Sequence, residues 1–332
     1  MNRLLRVEIT RLTWRKVPLL SFLALLVILL LSVGALHLQA RDLRPESQAY
    51  QEQVAQYEEY TADLEENGAE YLAQCLEDQA QEREDFDDPT IDYGCEESQG
   101  PGTLQEWVGG LGPLQPEVGR LLTGLTPILL LVPLLVGASA TAAEYSHRTM
   151  GTWLTFEPRR TRVFFSKLLA VSLVSAPLIA LMVVVTIVGM FAVFALNGLP
   201  TELDSAAWQT LVWRGARITL LAGVVAAVGA AAGTLLRRTS VVLGLVLVYV
   251  LAGEGLLRGL VPSLTPALLG SNISAFAENG WTWFTYPSCD ENGPCEPLEQ
   301  TISLLQGGTV LAVVALLVII GAWLVFRYRD VE

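Results

Sequence analysis

The chain has 332 residues, 52% of them hydrophobic and 17% charged, with a formal net charge of −13 at pH 7. The apolar residues are concentrated in runs of about 20, which indicates a polytopic all-α membrane protein rather than a soluble domain. The negative net charge disfavours nucleic acid as a partner.

Six apolar runs are each long enough to cross the hydrocarbon core of a membrane, which is ~30 Å thick and takes about 20 residues. In chain order we predict spans at Val17–Leu38, Leu121–Ala142, Leu168–Leu196, Thr210–Leu236, Val241–Leu260 and Leu304–Phe326. The first run is longer than the apolar core of a cleaved signal peptide, roughly 7 to 15 residues, so we expect it to remain as an anchor.

Lysine and arginine mark one face of the membrane. They precede the first span, lie between the second and third and between the fourth and fifth, and follow the last. By the positive-inside rule this face is cytoplasmic. Because the number of spans is even, both termini lie there, and we expect a multi-pass protein of the plasma membrane.

Most of the acidity lies in the segment after the first span. Between Arg41 and Glu106 there are 20 acidic and three basic residues, a net charge of −17, so the rest of the chain carries +4. A seven-residue repeat predicts a helix from about Pro45 to Arg83, packed on the rest of this extracellular insert or on a second copy. The repeat consists of Tyr50, Tyr57, Leu64 and Tyr71. For the second half of the insert, a solvated and partly disordered stretch is an equal alternative.

All four cysteines fall in predicted outer segments, where disulfides persist. They are Cys75, Cys95, Cys289 and Cys295. Three connectivities are open, and the short separations favour Cys75 with Cys95 and Cys289 with Cys295. A zinc site is the rival interpretation, but a C-x5-C spacing without a nearby histidine is unfavourable for zinc.

The chain contains no motif for catalysis of its own. Neither a G-x-x-x-x-G-K-[ST] phosphate loop nor a G-x-S-x-G elbow occurs. The two histidines, His37 and His147, lie on opposite predicted faces, so they cannot share a catalytic triad or a metal site. We therefore expect no catalytic residue, metal or cofactor in this chain, and a role in transport or sensing.

The polar segment AEYSHRTMGTWLTFEPRRTRVFFSK separates the second and third spans. Its motif residues are, in order, Glu144, Gly151, Thr152, Pro158, Arg160, Arg162 and Lys167, which opens the third span. This order resembles the coupling segment of the membrane subunits of ABC exporters of the second class, the ABC type 2 permeases. The resemblance covers nearly the whole chain except Gln39 to about Pro116.

The resemblance implies that a short helix in this segment docks in a cleft of a separate ATPase, as an amphipathic helix docks in a groove. The expected polar contacts are Glu144, Arg148 and Arg162, and the expected apolar anchors are Trp153, Leu154 and Phe156. ATP and magnesium would be bound by two copies of that partner. A second permease, either a copy of this chain or a paralogue, would complete the complex.

Two further segments are similar to features of the same family. The N-terminus RLLRVEITRLTWRK resembles an interfacial connecting helix, with Leu5, Ile9 and Leu12 in one apolar stripe. Its basic residues, Arg3, Arg6, Arg11, Arg15 and Lys16, are expected at lipid headgroups. The proline-broken stretch GLVPSLTPALLGSNISAF resembles the re-entrant outer helices before the last span.

Glu254 and Arg258 lie four residues apart in the outer half of the fifth predicted span. Because charges inside the membrane are commonly functional, they are predicted to line a translocation path. The alternative is a pair that neutralises itself near the membrane interface.

The sequence therefore predicts the permease of an ATP-driven exporter that works by alternating access, with a catalytic ATPase on a separate chain. The rival is a non-transporting membrane sensor whose acidic ectodomain binds a cationic ligand, with an intramembrane enzyme a distant third. The predicted division is connecting helix 1–16, first span 17–38, acidic insert 39–116, second span 117–142, coupling segment 143–166, third to fifth spans 167–261, outer re-entrant segment with a disulfide loop 262–303, and sixth span with tail 304–332.

Overall fold

The structure is a computed structural model. It describes residues 2–328 except 87, 90, 96–99, 101, 110, 112, 147, 148, 150, 152–154, 156, 157 and 286–297, and it leaves out the side chains of residues 2, 3 and 105. Cys289 and Cys295 lie outside the described residues. So do five of the ten predicted coupling residues, Arg148, Thr152, Trp153, Leu154 and Phe156.

The described part of the chain contains six helices that are long and apolar enough to span a membrane, which confirms the predicted all-α polytopic class. Spans 1 to 6 are Lys16–Asp42, Leu114–Ser146, Arg160–Leu196, Ser205–Leu236, Thr239–Leu260 and Leu304–Tyr328. They exceed the predicted runs chiefly at ends that carry polar residues, because a helix continues beyond the hydrocarbon core. A connecting helix, Asn2–Thr13, precedes span 1.

The connecting helix, the segment between spans 2 and 3, and the end of span 6 lie at one side of the bundle, here called the terminal face. At this face Leu12 is buried with Phe164 and Phe326, and Leu5 and Ile9 pack against the same cluster. The predicted apolar stripe therefore faces protein. This contact ties the connecting helix to spans 3 and 6.

Spans 2 and 4 form the most closely packed pair of the bundle, because glycines let their backbones approach. A Cβ atom at Gly137 would collide with the carbonyl oxygen of Ala226, and one at Gly229 with that of Leu134. At Gly233 it would lie 2.5 Å from the carbonyl oxygen of Ala138. The glycine and alanine run of span 4 thus serves contacts within the chain, as small residues do in membrane bundles.

The acidic insert begins with a single arm helix, Gln48–Asp85, which confirms the predicted helix. Ser47 caps its start by accepting a hydrogen bond from the backbone N–H of Tyr50. The chain then returns along the helix, and Cys75 and Cys95 form the predicted disulfide. Near the end of the return, a short helix, Leu104–Val108, stacks the Trp107 ring on Tyr60 at 5.4 Å.

The segment between spans 5 and 6 contains short helices, as the resemblance implied, and also a hairpin that the sequence analysis missed. A 3-10 turn, Pro262–Ala267, leads to the outer helix, Leu269–Glu278. The strands Trp281–Thr285 and Leu298–Ile302 then pair antiparallel, with Trp281 opposite Ile302. The missed signal is the aromatic and β-branched run WTWFT, which favours a strand.

Candidate functional site

A buried cluster of charges at the terminal face joins three elements that are distant in sequence. Glu8 comes from the connecting helix, Glu144 from the last turn of span 2, and Lys167 from the first third of span 3. The three side chains are only 8%, 3% and 5% exposed. Glu144 and Lys167 flank the coupling segment, so the cluster connects both of its ends to the connecting helix.

The ammonium group of Lys167 lies between the two carboxylates. Its Nζ donates to Glu8 Oε1 at 2.7 Å and to Glu144 Oε1 at 2.9 Å, and it lies 2.7 Å from Glu144 Oε2. Removing such charges from water costs several kcal/mol per ion, which is offset only where geometry and hydrogen bonding are good. We therefore refer to Glu8, Glu144 and Lys167 as the ion lock.

Two arginines, one in the last turn of the connecting helix and one directly before span 1, extend the ion lock. Arg11 and Arg15 place guanidinium nitrogens 3.7 Å and 3.8 Å from Glu144 Oε1. Arg15 also donates to the carbonyl oxygen of Ala140 at 3.0 Å. Arg11 and Arg15 are still 41% and 30% exposed, so they contact Glu144 at the C-terminal end of span 2, where the helix dipole favours cations, and their expected place at lipid headgroups stays a prediction.

Of the predicted coupling residues that are described, Glu144 faces the interior. Arg160 donates to the carbonyl oxygens of Phe326 and Arg327 at 3.3 Å and 3.4 Å, which joins span 3 to the end of span 6. Arg162 is exposed at the start of span 3, and Gly151 and Pro158 lie in the segment between spans 2 and 3. Thus Arg162 offers a polar contact at the surface, whereas Glu144 acts inside the chain.

The second predicted group, Glu254 and Arg258, forms an ion pair of 3.2 Å in span 5. A π-helical stretch, Tyr249–Leu257, turns Tyr249 and Glu254 to the same side, and the Tyr249 hydroxyl donates to Glu254 at 2.9 Å. Glu254 accepts a hydrogen bond from the backbone N–H of Gly270 at 2.6 Å, and the Tyr249 hydroxyl accepts one from the backbone N–H of Leu269 at 2.7 Å. Glu254 and Tyr249 thereby cap the start of the outer helix.

The other end of the outer helix also meets a cation from a span. Arg217 of span 4 donates to the carbonyl oxygen of Ala277 at 3.2 Å. A carboxylate at the N-terminus and a guanidinium at the C-terminus both complement the helix dipole. Glu254 and Arg217 therefore fix the outer helix against spans 5 and 4, and a role of Glu254 and Arg258 in a translocation path stays a prediction.

The family model for the ABC-2 family transporter protein matches residues 15–329. The chain belongs to this family. The match includes all six spans, whereas the connecting helix and its Glu8 precede it. No curated protein and no solved structure gives a significant match.

As an ABC-2 permease, the chain is the transmembrane component of an ABC transporter. This family membership accounts for a multi-span protein without a phosphate loop, because the permease is not itself the catalytic subunit. The ion lock would have been difficult to recognise in the sequence. The available signals were one acidic residue, Glu8, in the basic connecting helix, and Lys167 at the start of an apolar run.

Proposed function

We propose that this ABC-2 permease is the membrane subunit of an ATP-driven exporter. Two copies, or one copy and a paralogue, would work with two ATPase subunits bound at the terminal face, which would be cytoplasmic. The observation that carries the proposal is the ion lock, because it couples both ends of the segment expected to touch the ATPase to a third element.

The ion lock gives a physical route for transmission. A partner that displaces the coupling segment pulls on the last turn of span 2 and on the start of span 3, where Glu144 and Lys167 lie. Because breaking a buried ion pair costs about 3–5 kcal/mol, these two helices and the connecting helix move together rather than separately. Displacement at the terminal face therefore reaches the spans.

This assignment changes the expected role of one residue. Glu144 is 3% exposed, so the proposal gives it a part in transmission rather than direct contact with the ATPase. Direct polar contact is left to exposed cations such as Arg162, together with residues of the segment outside the described part. The basic residues of the terminal face support its cytoplasmic orientation by the positive-inside rule.

The test is to express the chain with candidate ABC ATPases, purify the complex through the permease, and measure ATP hydrolysis and efflux from vesicles. Arg162→Glu should lower ATPase association, since it reverses a charge at the proposed docking surface. Arg41→Glu is the matched control, because Arg41 is exposed at the end of span 1 away from the terminal face.

If no ATPase binds the wild-type chain, the exporter proposal fails and the sensor with an acidic ectodomain becomes the better hypothesis. If an ATPase binds equally well to the Arg162→Glu and Arg41→Glu variants, the docking surface is elsewhere. Efflux that requires ATP on the terminal face would establish both the energy source and the direction.

A further inference from the structure

An apolar groove of about 840 Å³ runs along the joint between spans 3 and 4. Six of its lining residues are Leu173, Ala176, Ala180, Leu220, Val224 and Ile319. Small side chains form its floor, and Leu173 and Leu220, which are 48% and 61% exposed, form its edges. Its volume is in the range of ligand sites, roughly 300–1,000 Å³.

The groove lies at the depth of the hydrocarbon core. On span 3 it extends from Ser172 to Ile187, which corresponds to about 22 Å of helix at ~1.5 Å per residue. Ser172 donates to the carbonyl oxygen of Gly223 at 2.7 Å and holds the helices together at the end nearer the terminal face. At the other end Phe191 and Trp208 stack at 5.3 Å.

The terminal face below the groove carries aromatic and cationic side chains. Trp323 lies one turn after the lining residue Ile319, and its indole N–H donates to Thr161 at 3.3 Å. The Arg327 guanidinium lies 5.4 Å from the centre of the Trp323 ring, and Arg327 is exposed. Arg162 is also exposed and lies on the same face of span 3 as Leu173, because 11 residues make about three turns.

We propose that the end of this groove nearest the terminal face binds one acyl chain of an anionic phospholipid, whose headgroup contacts Arg162 and Arg327 beside Trp323. Each leaflet is about 20 Å thick with its headgroups. A phospholipid with its headgroup at Arg162 therefore extends about 13 residues along span 3, to the level of Ala176. Ser172 contacts Gly223, and the next residue of span 4, Val224, lines the groove. Val224 therefore lies within reach of the acyl chain.

Charge complementarity favours a lipid over a second protein helix as the occupant. The groove itself is apolar, and the two exposed arginines lie only beyond its terminal end. This asymmetric arrangement matches an amphiphile with one anionic end, and basic pockets between spans are a known mode of headgroup recognition. Trp323, which lies beside Arg327, is of a residue type enriched at the membrane interface.

The experiment uses the full chain in nanodiscs that contain equal amounts of phosphatidylglycerol and phosphatidylcholine. The lipids that remain bound after transfer to detergent are counted by native mass spectrometry. The wild-type chain should retain phosphatidylglycerol preferentially, and Arg162→Gln with Arg327→Gln should lower this preference by about fivefold per cation. Val224→Trp should lower this retention by blocking the part of the groove that the acyl chain reaches.

Val27→Trp is the matched control, because Val27 is 54% exposed in span 1 and does not line the groove. It should retain lipid like the wild type, and both tryptophan variants should melt at the wild-type temperature. Equal retention by the two variants, or equal retention of the two lipids by the wild type, overturns the proposal. A disulfide between two copies at Val224→Cys also overturns it, since a second chain then occupies the groove.

Discussion

The ion lock allows a quantitative prediction for Lys167→Met. Methionine keeps the length of the side chain but leaves the carboxylates of Glu8 and Glu144, which are 8% and 3% exposed, without the ammonium between them. Removing one partner of a buried ion pair costs about 3–5 kcal/mol. We expect a loss of this size in the free energy of unfolding, measured by titration with sodium dodecyl sulfate in mixed micelles.

Lys16→Met is the matched control, since Lys16 is exposed at the same face. It should change stability by no more than about 0.5 kcal/mol. Adding Glu8→Gln and Glu144→Gln to Lys167→Met should restore most of the loss, because no buried charge then remains unpaired. The reasoning is refuted if Lys167→Met costs no more than Lys16→Met, or if the triple variant is as unstable as the single one.

Three further outcomes are expected. Replacing both Cys75 and Cys95 by Ser should speed amide hydrogen exchange along the arm helix, because losing a disulfide between residues 20 positions apart lowers stability by about 3 kcal/mol. Exchange in the spans should not change. Gly137→Ala should destabilise the bundle by about 1–3 kcal/mol through collision with span 4, whereas Gly124→Ala, where a Cβ atom meets nothing within 4 Å, should be tolerated. The hydrogen bond from the backbone N–H of Thr103 lowers the pKa of Glu106 below its usual 4.5. The cap that Glu106 forms on the short helix Leu104–Val108 therefore stabilises that helix above pH 4.5, and the stabilisation is lost as pH falls through the lowered pKa. Glu106→Gln should remove this pH dependence from the amide exchange of residues 104–108, after correction for the intrinsic exchange rate.

The spans were predictable because they depend on local composition. A run of about 20 apolar residues can satisfy its backbone in the membrane only as a helix or a closed barrel, and spans 3 and 4 end at Leu196 and Leu236 as predicted. The arm helix and the Cys75–Cys95 disulfide were predictable from a seven-residue period and a short separation. These signals are all contained in one contiguous stretch of chain.

The ion lock and the contacts of Glu254 and Arg217 with the outer helix were not predictable, because each joins residues from separate elements. Lys167 and Glu8 are 159 positions apart, and no period or motif relates them. Arg217 likewise contacts the end of the outer helix, 60 positions away. Tertiary packing decides which of several possible partners, exposed or buried, a long cationic side chain contacts.

The backbone contacts between spans 2 and 4 restrict how the bundle can change shape. Carbonyl groups of the partner helix lie directly against Gly137 and Gly229. Sliding one helix along the other would therefore press side chains against this backbone. These two spans therefore behave as one rigid body. In their most apolar stretches they are 50% and 56% buried, against 17%, 11% and 17% for spans 1, 5 and 6. Any large rearrangement of the bundle must consequently move spans 2 and 4 together relative to the three outer spans. Span 5, with its π-helical stretch and the least buried surface, has the fewest contacts to break.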